Sequence, residues 1–348
     1  MNQPATNIMP KKTRIAINGF GRIGRHAFKI ALEKPELEVI AVNDLGSLEV
    51  MAHLLRHDTA YGAYHRKVRV EDTTLIVDDK RIEFVSVKEP AELPWKKLKI
   101  DVVLESTGRL TKDGAARAHL TAGAKRVIVS APTKGGNVQT YLLGVNAEKN
   151  NGDDVISNAS CTTNCVSPVT KVMLQNFGIK KAAMTTIHSY TAEQNLVDGP
   201  VPPMHPDLRR ARAAAQNIVP TTSGAAISTG EVLPELKGLF DGYALRVPTI
   251  VVSYTDFTFL TKKKTTIKEV NAAFKKAAAS AAMKGILVVT EEQLVSSDFK
   301  GNPASAIVDL PLTNVIDGDL VKVGAWYDNE WGYSNRFVEQ AVMVGRSL

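Results

Sequence analysis

Cysteine is almost missing from this sequence: 348 residues contain two, Cys161 and Cys165. Two thiols four positions apart cannot build the disulfide framework of a small secreted domain, so a reducing cytoplasm is the expected compartment. Long hydrophobic runs are missing as well. No stretch approaches the roughly 18–20 apolar residues needed to span a bilayer, and no membrane partner is expected. The polar residues 1–12 lack the apolar core of a signal peptide and the Arg-rich pattern of a transit peptide, and are expected to form a loosely attached extension. Charge of one sign does not dominate: 43 Lys and Arg stand against 36 Asp and Glu, a net +7. That excess favours phosphorylated ligands. The basic residues are dispersed, however, with clusters only at 262–264 and at Arg209, Arg210 and Arg212, and no nucleic-acid motif accompanies them. RNA binding is therefore not indicated, and no metal is expected. What remains is an ordinary globular composition, 44% hydrophobic and 23% charged, long enough for two cores.

Near the start, Arg14, Ile15, Ala16 and Ile17 read as a strand. Asn18, Gly19, Phe20, Gly21, Arg22, Ile23 and Gly24 follow, ahead of a helical pattern at 26–32. Glycine spacing of this kind at a strand-to-helix turn suits a dinucleotide pyrophosphate: Gly19 for the turn, Gly21 for close backbone approach, Gly24 for helix–strand packing. The alternative is a purely structural glycine turn. A second strand at 39–42 ends in Asn43 and Asp44, where an acid can bond the adenosine ribose. Buried strands at 102–105 and 126–130, with a crossover helix expected at 113–122, continue the alternation of an open parallel sheet. Ligands bind such sheets at the strand carboxyl ends, which carry Ser106, Thr107, Gly108 and Ser130. Beyond residue 160 the texture changes to strands grouped with helices, including a helix opened by a capping box at Thr266 and Glu269 and stopped by Gly285. The fold class is an α/β Rossmann-type dinucleotide-binding domain plus an α+β catalytic domain with a mixed or antiparallel sheet.

The segment from Ser157 to Cys165 places a thiol among small hydroxyl and amide residues just before an apolar run. Ser160 is a good N-cap, so Cys161 falls in the first turn of a helix. Unpaired N–H groups and the helix dipole there lower a thiol pKa and can hold an oxyanion. A buried, inert cysteine is the other reading. With a nicotinamide site, a thiolate invites one chemistry: addition to an aldehyde, hydride loss, and an acyl thioester. His188, after the strand-like run Thr185, Thr186 and Ile187, is a candidate base; a satisfied strand-end histidine is the alternative.

The motifs NGFGRIGR, VNDL, ESTGRLT, SNASCTTNC, MTTIHSYT, DLRRARAAAQNIVPT, LRVPT and WYDNEWGYS occur in one order from about Thr13 to the C-terminus. In this the chain resembles the glyceraldehyde-3-phosphate dehydrogenase family, phosphorylating and cysteine-dependent. The resemblance implies NAD as cofactor, glyceraldehyde 3-phosphate and inorganic phosphate as substrates, and a homotetramer. It implies an NAD-binding domain at 13–160 completed by a C-terminal helix at 329–348, and a catalytic domain at 161–328. Cys161 would be nucleophile and His188 base, forming a thiolate–imidazolium pair in the free enzyme. Thr191 and Arg246 would hold the substrate phosphate; Ser160, Thr162, Arg210, Ser223 and Gly224 the attacking phosphate. Lys88 would lie near the adenine, Asn329 on the nicotinamide carboxamide and Tyr333 near its ring. Some positions depart from the common pattern: Glu193 stands where Asp is frequent, Ser223 where Thr is usual. Leu45 after Asp44, and Pro203 and Met204 in a Pro-rich loop, argue against NADP. An erythrose 4-phosphate dehydrogenase is the nearest alternative, and a non-catalytic NAD- or RNA-binding relative the other.

Overall fold

The computed structural model describes residues 11–201 and 207–348. Most of the expected N-terminal extension, and Pro203 and Met204, lie outside the described residues. In the first half the chain runs β1 (Thr13–Asn18), α1 (Arg22–Ala31), β2 (Leu37–Asn43), α2 (Leu48–Arg56), β3 (His57–Asp58), β4 (Gly62–Ala63), β5 (Val68–Glu71), β6 (Thr74–Val77), β7 (Lys80–Val85), α3 (Trp95–Leu98), β8 (Val102–Glu105), α4 (Ala118–Thr121), β9 (Arg126–Val129), β10 (Gln139–Thr140) and β11 (Val155–Ser157). The second half runs α5 (Cys161–Phe177), β12 (Ile179–Ser189), β13 (Val219–Thr222), α6 (Ala225–Val232), β14 (Phe240–Val247), β15 (Ser253–Thr261), α7 (Ile267–Ala278), β16 (Leu287–Thr290), β17 (Ala306–Ile316), β18 (Leu320–Tyr327) and α8 (Trp331–Gly345).

Nine strands form one sheet in the order β10-β11-β9-β8-β1-β2-β7-β6-β5. Its centre is parallel, and antiparallel pairing is confined to one edge, where β6 pairs with β7 and β5 with β6. The run Val102, Val103 and Leu104 is wholly buried, as a parallel strand covered on both faces requires. The expected crossover helix at 113–122 is shorter than its pattern suggested, a 3-10 turn followed by the single turn of α4. Gly114, in the left-handed region at φ 71, caps that turn, so regular helix cannot begin before it.

Seven strands form a second, mixed sheet in the order β13-β14-β12-β15-β18-β17-β16. Strict alternation along β15 buries one face, where Phe257 and Phe259 stack at 5.6 Å in the core. The capping box at Thr266 and Glu269 opens α7 as expected. That helix ends at Ala278, however, well before Gly285, because its amphipathic face (Val270 and Phe274 buried) runs out there. Helix α8 returns to the first sheet, packing Phe337, Val338 and Ala341 into the same core as Ile15, Ile17 and Phe28. Among the described residues no helix is long and apolar enough to cross a membrane.

Candidate active site

The glycine turn sits at the carboxyl edge of the first sheet, held by backbone bonds from Gly19 N–H to Asn43 C=O and from Ser106 N–H to Asn18 C=O, each 2.8 Å. Gly19 has φ 91, and a Cβ there would lie 2.8 Å from the Thr107 nitrogen. A Cβ on Gly24 would lie 2.0 Å from the Gly19 carbonyl oxygen, so helix and turn touch there. Gly21 is different: a Cβ would meet nothing within 4 Å. It opens α1, which has no side-chain cap, so first-turn N–H groups face that open space unclaimed. An open cradle at an uncapped helix start is what a pyrophosphate needs, and the residues present fit a dinucleotide.

The side chains around this turn are more occupied than the sequence implied. Phe20 is fully buried and edge-on to Phe28 at 5.4 Å, so only its backbone is available to a ligand. Ile23 packs on the core. Arg22 reaches backwards: its guanidinium binds Glu330 and, at 2.8 Å, Asp58. Asp44 accepts from the N–H groups of Phe20 (2.7 Å) and Gly46 (2.9 Å), which locks the end of β2 to the glycine turn. Ser106 donates to the Gly19 carbonyl at 2.7 Å. Thr107 donates to Glu105, Gly108 has φ 70, and Ser130 N–H binds the Glu105 carbonyl, all along the same sheet edge. Lys88 is exposed, one residue beyond Val87, whose backbone exchanges two bonds with the Asn43 side chain.

That edge also delivers the cysteine. Asn158 N–H binds the Val129 carbonyl, and Ala159 then adopts the left-handed region at φ 51 while fully buried. A non-glycine residue there is strained and needs its surroundings to hold it. The kink turns the chain into α5. Ser160 caps that helix as expected, its Oγ accepting from Thr163 N–H at 3.0 Å. Cys161 is therefore the first helical residue.

His188 lies on β12, in register with Arg246 on the parallel neighbour β14. Its Nδ1 is 2.6 Å from the Ser189 carbonyl. A carbonyl only accepts, so Nδ1 carries the proton and Nε2 of the neutral ring presents a lone pair. That Nε2 lies 3.4 Å from Cys161 Sγ. Burial pushes the Cys161 thiol up to about 11, against the Thr162 hydroxyl, the Arg246 charge and the Thr162 N–H, which lower it. Burial, aided by Arg246, pushes His188 down to about 4. Both shifts run against the ion pair that the resemblance implied; the helix start was legible, the burial was not. Cys165, fully buried, is pushed up further still.

Arg246 donates to Thr191 Oγ1 at 2.5 Å and to Gln194 Oε1 at 3.2 Å. Arg210, 5% exposed, donates to Glu193 Oε1 at 2.7 Å, and Arg246 reaches that same oxygen at 3.2 Å. The neighbours Arg209 and Arg212 are paired with Asp207 and Asp198. Thr162 is buried, and its hydroxyl shares a bond with Tyr327 OH at 2.9 Å behind the thiol. Ser223 Oγ accepts from Ala225 N–H at 3.3 Å beside Gly224, the uncapped start of α6. Asn329 is buried, and its Oδ1 accepts from the Ser253 hydroxyl at 3.1 Å. Tyr333, stacked on Phe337, donates to the Ala159 carbonyl at 3.0 Å, beneath the cysteine turn.

Sequence reasoning missed Ser189, Ser253 and Val252. Ser189 N–H donates to Ser253 Oγ (3.1 Å), and Ser189 Oγ donates to the carbonyl of Val252 (2.7 Å), whose φ is 74. They join His188 to Asn329 across distant segments, and the one local signal available was that serines cluster at strand ends. Among the described residues no group of His, Cys, Asp and Glu could hold a metal.

Comparison with known proteins agrees across the chain. Residues 13–113 match the family model for the glyceraldehyde 3-phosphate dehydrogenase NAD binding domain, and residues 160–329 the one for its C-terminal domain. A glyceraldehyde-3-phosphate dehydrogenase of Streptomyces coelicolor is 51% identical over 338 residues, covering 96% of this chain and 99% of the relative. That of Geobacillus stearothermophilus is 50% identical over 333 residues, 95% and 98% of the two chains. The glyceraldehyde-3-phosphate dehydrogenase 1 of Bacillus subtilis is 49% identical over 335 residues, 96% and 98%.

Proposed function

Because this chain belongs to the glyceraldehyde-3-phosphate dehydrogenase family, an NAD-dependent oxidoreductase family of glycolysis, we propose that Cys161 and His188 carry the oxidation and phosphorolysis of glyceraldehyde 3-phosphate. The observation that carries this reading is the 3.4 Å approach of Cys161 Sγ to the unprotonated His188 Nε2 at a helix start. Neither erythrose 4-phosphate nor a non-catalytic role is favoured by relatives of this identity and coverage.

Attack on the aldehyde forms a Sγ–C bond as the thiol proton passes to His188 Nε2. The carbonyl oxygen becomes an alkoxide, recovers that proton, and leaves a thiohemiacetal on Cys161. When bound, the nicotinamide supplies the acceptor for the hydride lost from that carbon. His188 takes the hydroxyl proton in the same step, the C=O bond re-forms, and a thioester remains on the cysteine. Phosphate oxygen then attacks the thioester carbon, the C–S bond breaks, and the thiolate leaves to be reprotonated. N–H groups at the start of α5 stabilise each developing oxyanion.

The supporting geometry divides the other roles. Gly19, Gly21, Gly24 and the first turn of α1 hold the pyrophosphate, while Asp44 and Lys88 flank the adenosine end. Ser106, Thr107, Gly108, Ser130, Asn329 and Tyr333 border the nicotinamide. Thr191 and Arg246 take the substrate phosphate; Ser160, Ser223, Gly224 and Arg210 take the attacking phosphate. Thr162 joins the attacking-phosphate group, its hydroxyl also bonded to Tyr327 OH. The working division is an NAD-binding domain at 13–160 completed by 329–348 and a catalytic domain at 161–328. Leu196, Val197, Leu208, Ile218 and Ile227 are between 67% and 82% exposed, apolar surface that supports a homotetramer; the cysteine-poor composition favours the cytoplasm. NADH absorbance with glyceraldehyde 3-phosphate, NAD and phosphate tests the activity. Turnover that needs phosphate and prefers this sugar to erythrose 4-phosphate is expected; preference for the longer sugar refutes it. Light scattering that finds a monomer at micromolar concentration refutes the assembly.

A further inference from the structure

A line of buried polar side chains runs under the carboxyl edge of the first sheet, and its two ends fix the direction of every bond in it. At one end the Val87 backbone donates to Asn43 Oδ1 (2.9 Å) and accepts from Asn43 Nδ2 (3.0 Å), which sets that amide. Asn43 Nδ2 also donates to Asn18 Oδ1 at 2.7 Å, so Asn18 turns its own Nδ2 to Glu105 Oε2, 2.6 Å away. At the other end Trp95 Nε1, which can only donate, lies 3.1 Å from His119 Nδ1. That nitrogen therefore carries no proton, and His119 Nε2–H donates to the same Glu105 oxygen at 2.9 Å. Asn18 Nδ2 and His119 Nε2 are 3.4 Å apart, two donors sharing one acceptor. Glu105 Oε1 accepts from the Thr107 N–H (2.9 Å) and the Thr107 hydroxyl. Four donors and no acceptor face Glu105, which suits a carboxylate and no amide. Trp95, His119, Glu105, Asn18 and Asn43 are all at most 6% exposed. A carboxylate so dry, held by neutral donors, is costly to keep, and a network whose members are all satisfied holds one geometry.

The line adjoins the residues assigned above to the cofactor: Asn18 precedes Gly19, Asn43 precedes Asp44, Val87 precedes Lys88, and Glu105 precedes Ser106 and Thr107. We propose that Glu105 is a positioning residue for NAD: it seats the Thr107–Gly108 turn at the nicotinamide end against the Asn18–Asn43 pair at the adenosine end, and so sets the spacing of the two halves of the cofactor site. This rests on the cofactor assignment above and deepens it. Ser106 is already tied to β1 through its N–H and its hydroxyl, so the hold on Thr107 is what Glu105 adds. Glu105→Gln breaks the line at a defined point. With its oxygen toward Thr107, its NH2 faces Asn18 Nδ2 and His119 Nε2–H, and neither neighbour can turn over without meeting the donor behind it, Asn43 Nδ2 or Trp95 Nε1. Turned the other way, its NH2 meets the Thr107 N–H. The adenosine end stays anchored in both cases, since Asn43 keeps its two bonds to Val87.

The test titrates NAD and AMP calorimetrically into the full-length protein, with AMP reporting the adenosine end alone. Glu105→Gln should weaken NAD about tenfold and AMP by no more than about twofold. KM for NAD should rise with the loss of affinity, and KM for glyceraldehyde 3-phosphate should not. Unchanged NAD affinity in Glu105→Gln overturns the proposal. So does an equal loss of NAD and AMP, which would mean a general loosening of the domain. If Glu105→Gln does not fold, Trp95→Phe decides: it removes the donor that fixes the His119 tautomer and touches no cofactor turn. It should weaken NAD and spare AMP, and NAD binding equal to that of the unaltered protein overturns the idea. Binding is read without turnover. An unaltered protein that binds NAD yet fails to oxidise glyceraldehyde 3-phosphate would remove the proposed function and not this one.

Discussion

Replacing Asp328 by Asn changes one atom, and the structure says what that atom does. Asp328 is 1% exposed. Its Oδ1 accepts from Tyr61 OH (2.7 Å), Trp331 N–H (2.8 Å) and Glu330 N–H (3.0 Å), and its Oδ2 from Gly301 N–H (2.8 Å). An asparagine can keep one oxygen. Its NH2 must then face either the three donors or Gly301 N–H, donor against donor. The cheaper choice gives up one charge-assisted bond and leaves a buried N–H unpaired, each worth about 1–3 kcal/mol. Part of this is offset because burial already pushes the Asp328 carboxyl up, so the charge itself is costly to hold. A net loss of roughly 2–3 kcal/mol follows, which lowers Tm by roughly 4–12 °C. Tyr61→Phe removes one donor and leaves the carboxylate, so it should cost about 1 kcal/mol. The functional effect follows from position. Asp328 orders the turn that carries Asn329 and also Glu330, the partner of Arg22 beside the glycine turn. KM for NAD should therefore rise in Asp328→Asn more than KM for glyceraldehyde 3-phosphate. Thermal melts and steady-state kinetics on both variants give the answer. A melt within a degree or two of the unaltered protein, or a larger loss in Tyr61→Phe than in Asp328→Asn, would refute the reasoning.

Four further outcomes are expected. His188, held down at about 4, stays neutral in the fold at pH values where an unfolded histidine (about 6.5) takes a proton. Its contribution to stability is full above pH 6.5 and is lost as pH falls through about 4. His188→Gln should flatten the fall of Tm across that window, and an unchanged profile means the ring is not held neutral. Iodoacetamide should label Cys161 before Cys165, which is fully buried, with activity lost in step; peptide mapping that finds Cys165 first contradicts the assignment. Asp44, one carboxylate at the ribose end, should repel a 2′-phosphate, so kcat/KM for NAD should exceed that for NADP; equality sinks the placement. Ser223→Ala should raise KM for inorganic phosphate more than for the sugar phosphate, and the reverse order would exchange the two subsites.

The parts of the site that were legible in the sequence are those made by neighbours in the chain. Gly19, Gly21 and Gly24 announce a turn because each solves a local steric problem, and Ser160 announces a helix start because it caps the residue three ahead. Contacts between segments left no such trace. Nothing near Arg22 says that its guanidinium turns back to Glu330, 308 residues later. Nothing near Thr162 says that its hydroxyl meets Tyr327, 165 residues later. At Cys161 the helix start and His188 can be read locally, while the burial that pushes the thiol up and His188 down is supplied by many distant side chains. Elements were found more reliably than their ends. The crossover helix expected at 113–122 begins only after Gly114, and its first turn is 3-10.

The proposed nucleophile and its proposed base are carried by different sheets, and their alignment must be fixed by something that touches both. Helix α5 begins at the edge of the first sheet and carries Cys161; strand β12 of the second carries His188. From His188 a line of bonds runs through the Ser189 backbone to the Ser253 hydroxyl and on to Asn329 Oδ1. Asn329 adjoins Asp328 and Glu330, and Glu330 holds Arg22 at the start of α1. The base is thus tied to the same turn that is anchored on the glycine motif. Each link is a short, buried contact with one satisfied geometry, and a buried group that loses its partner costs more than the bond it made. The arrangement resists relative slippage of the two sheets where slippage would separate Sγ from Nε2.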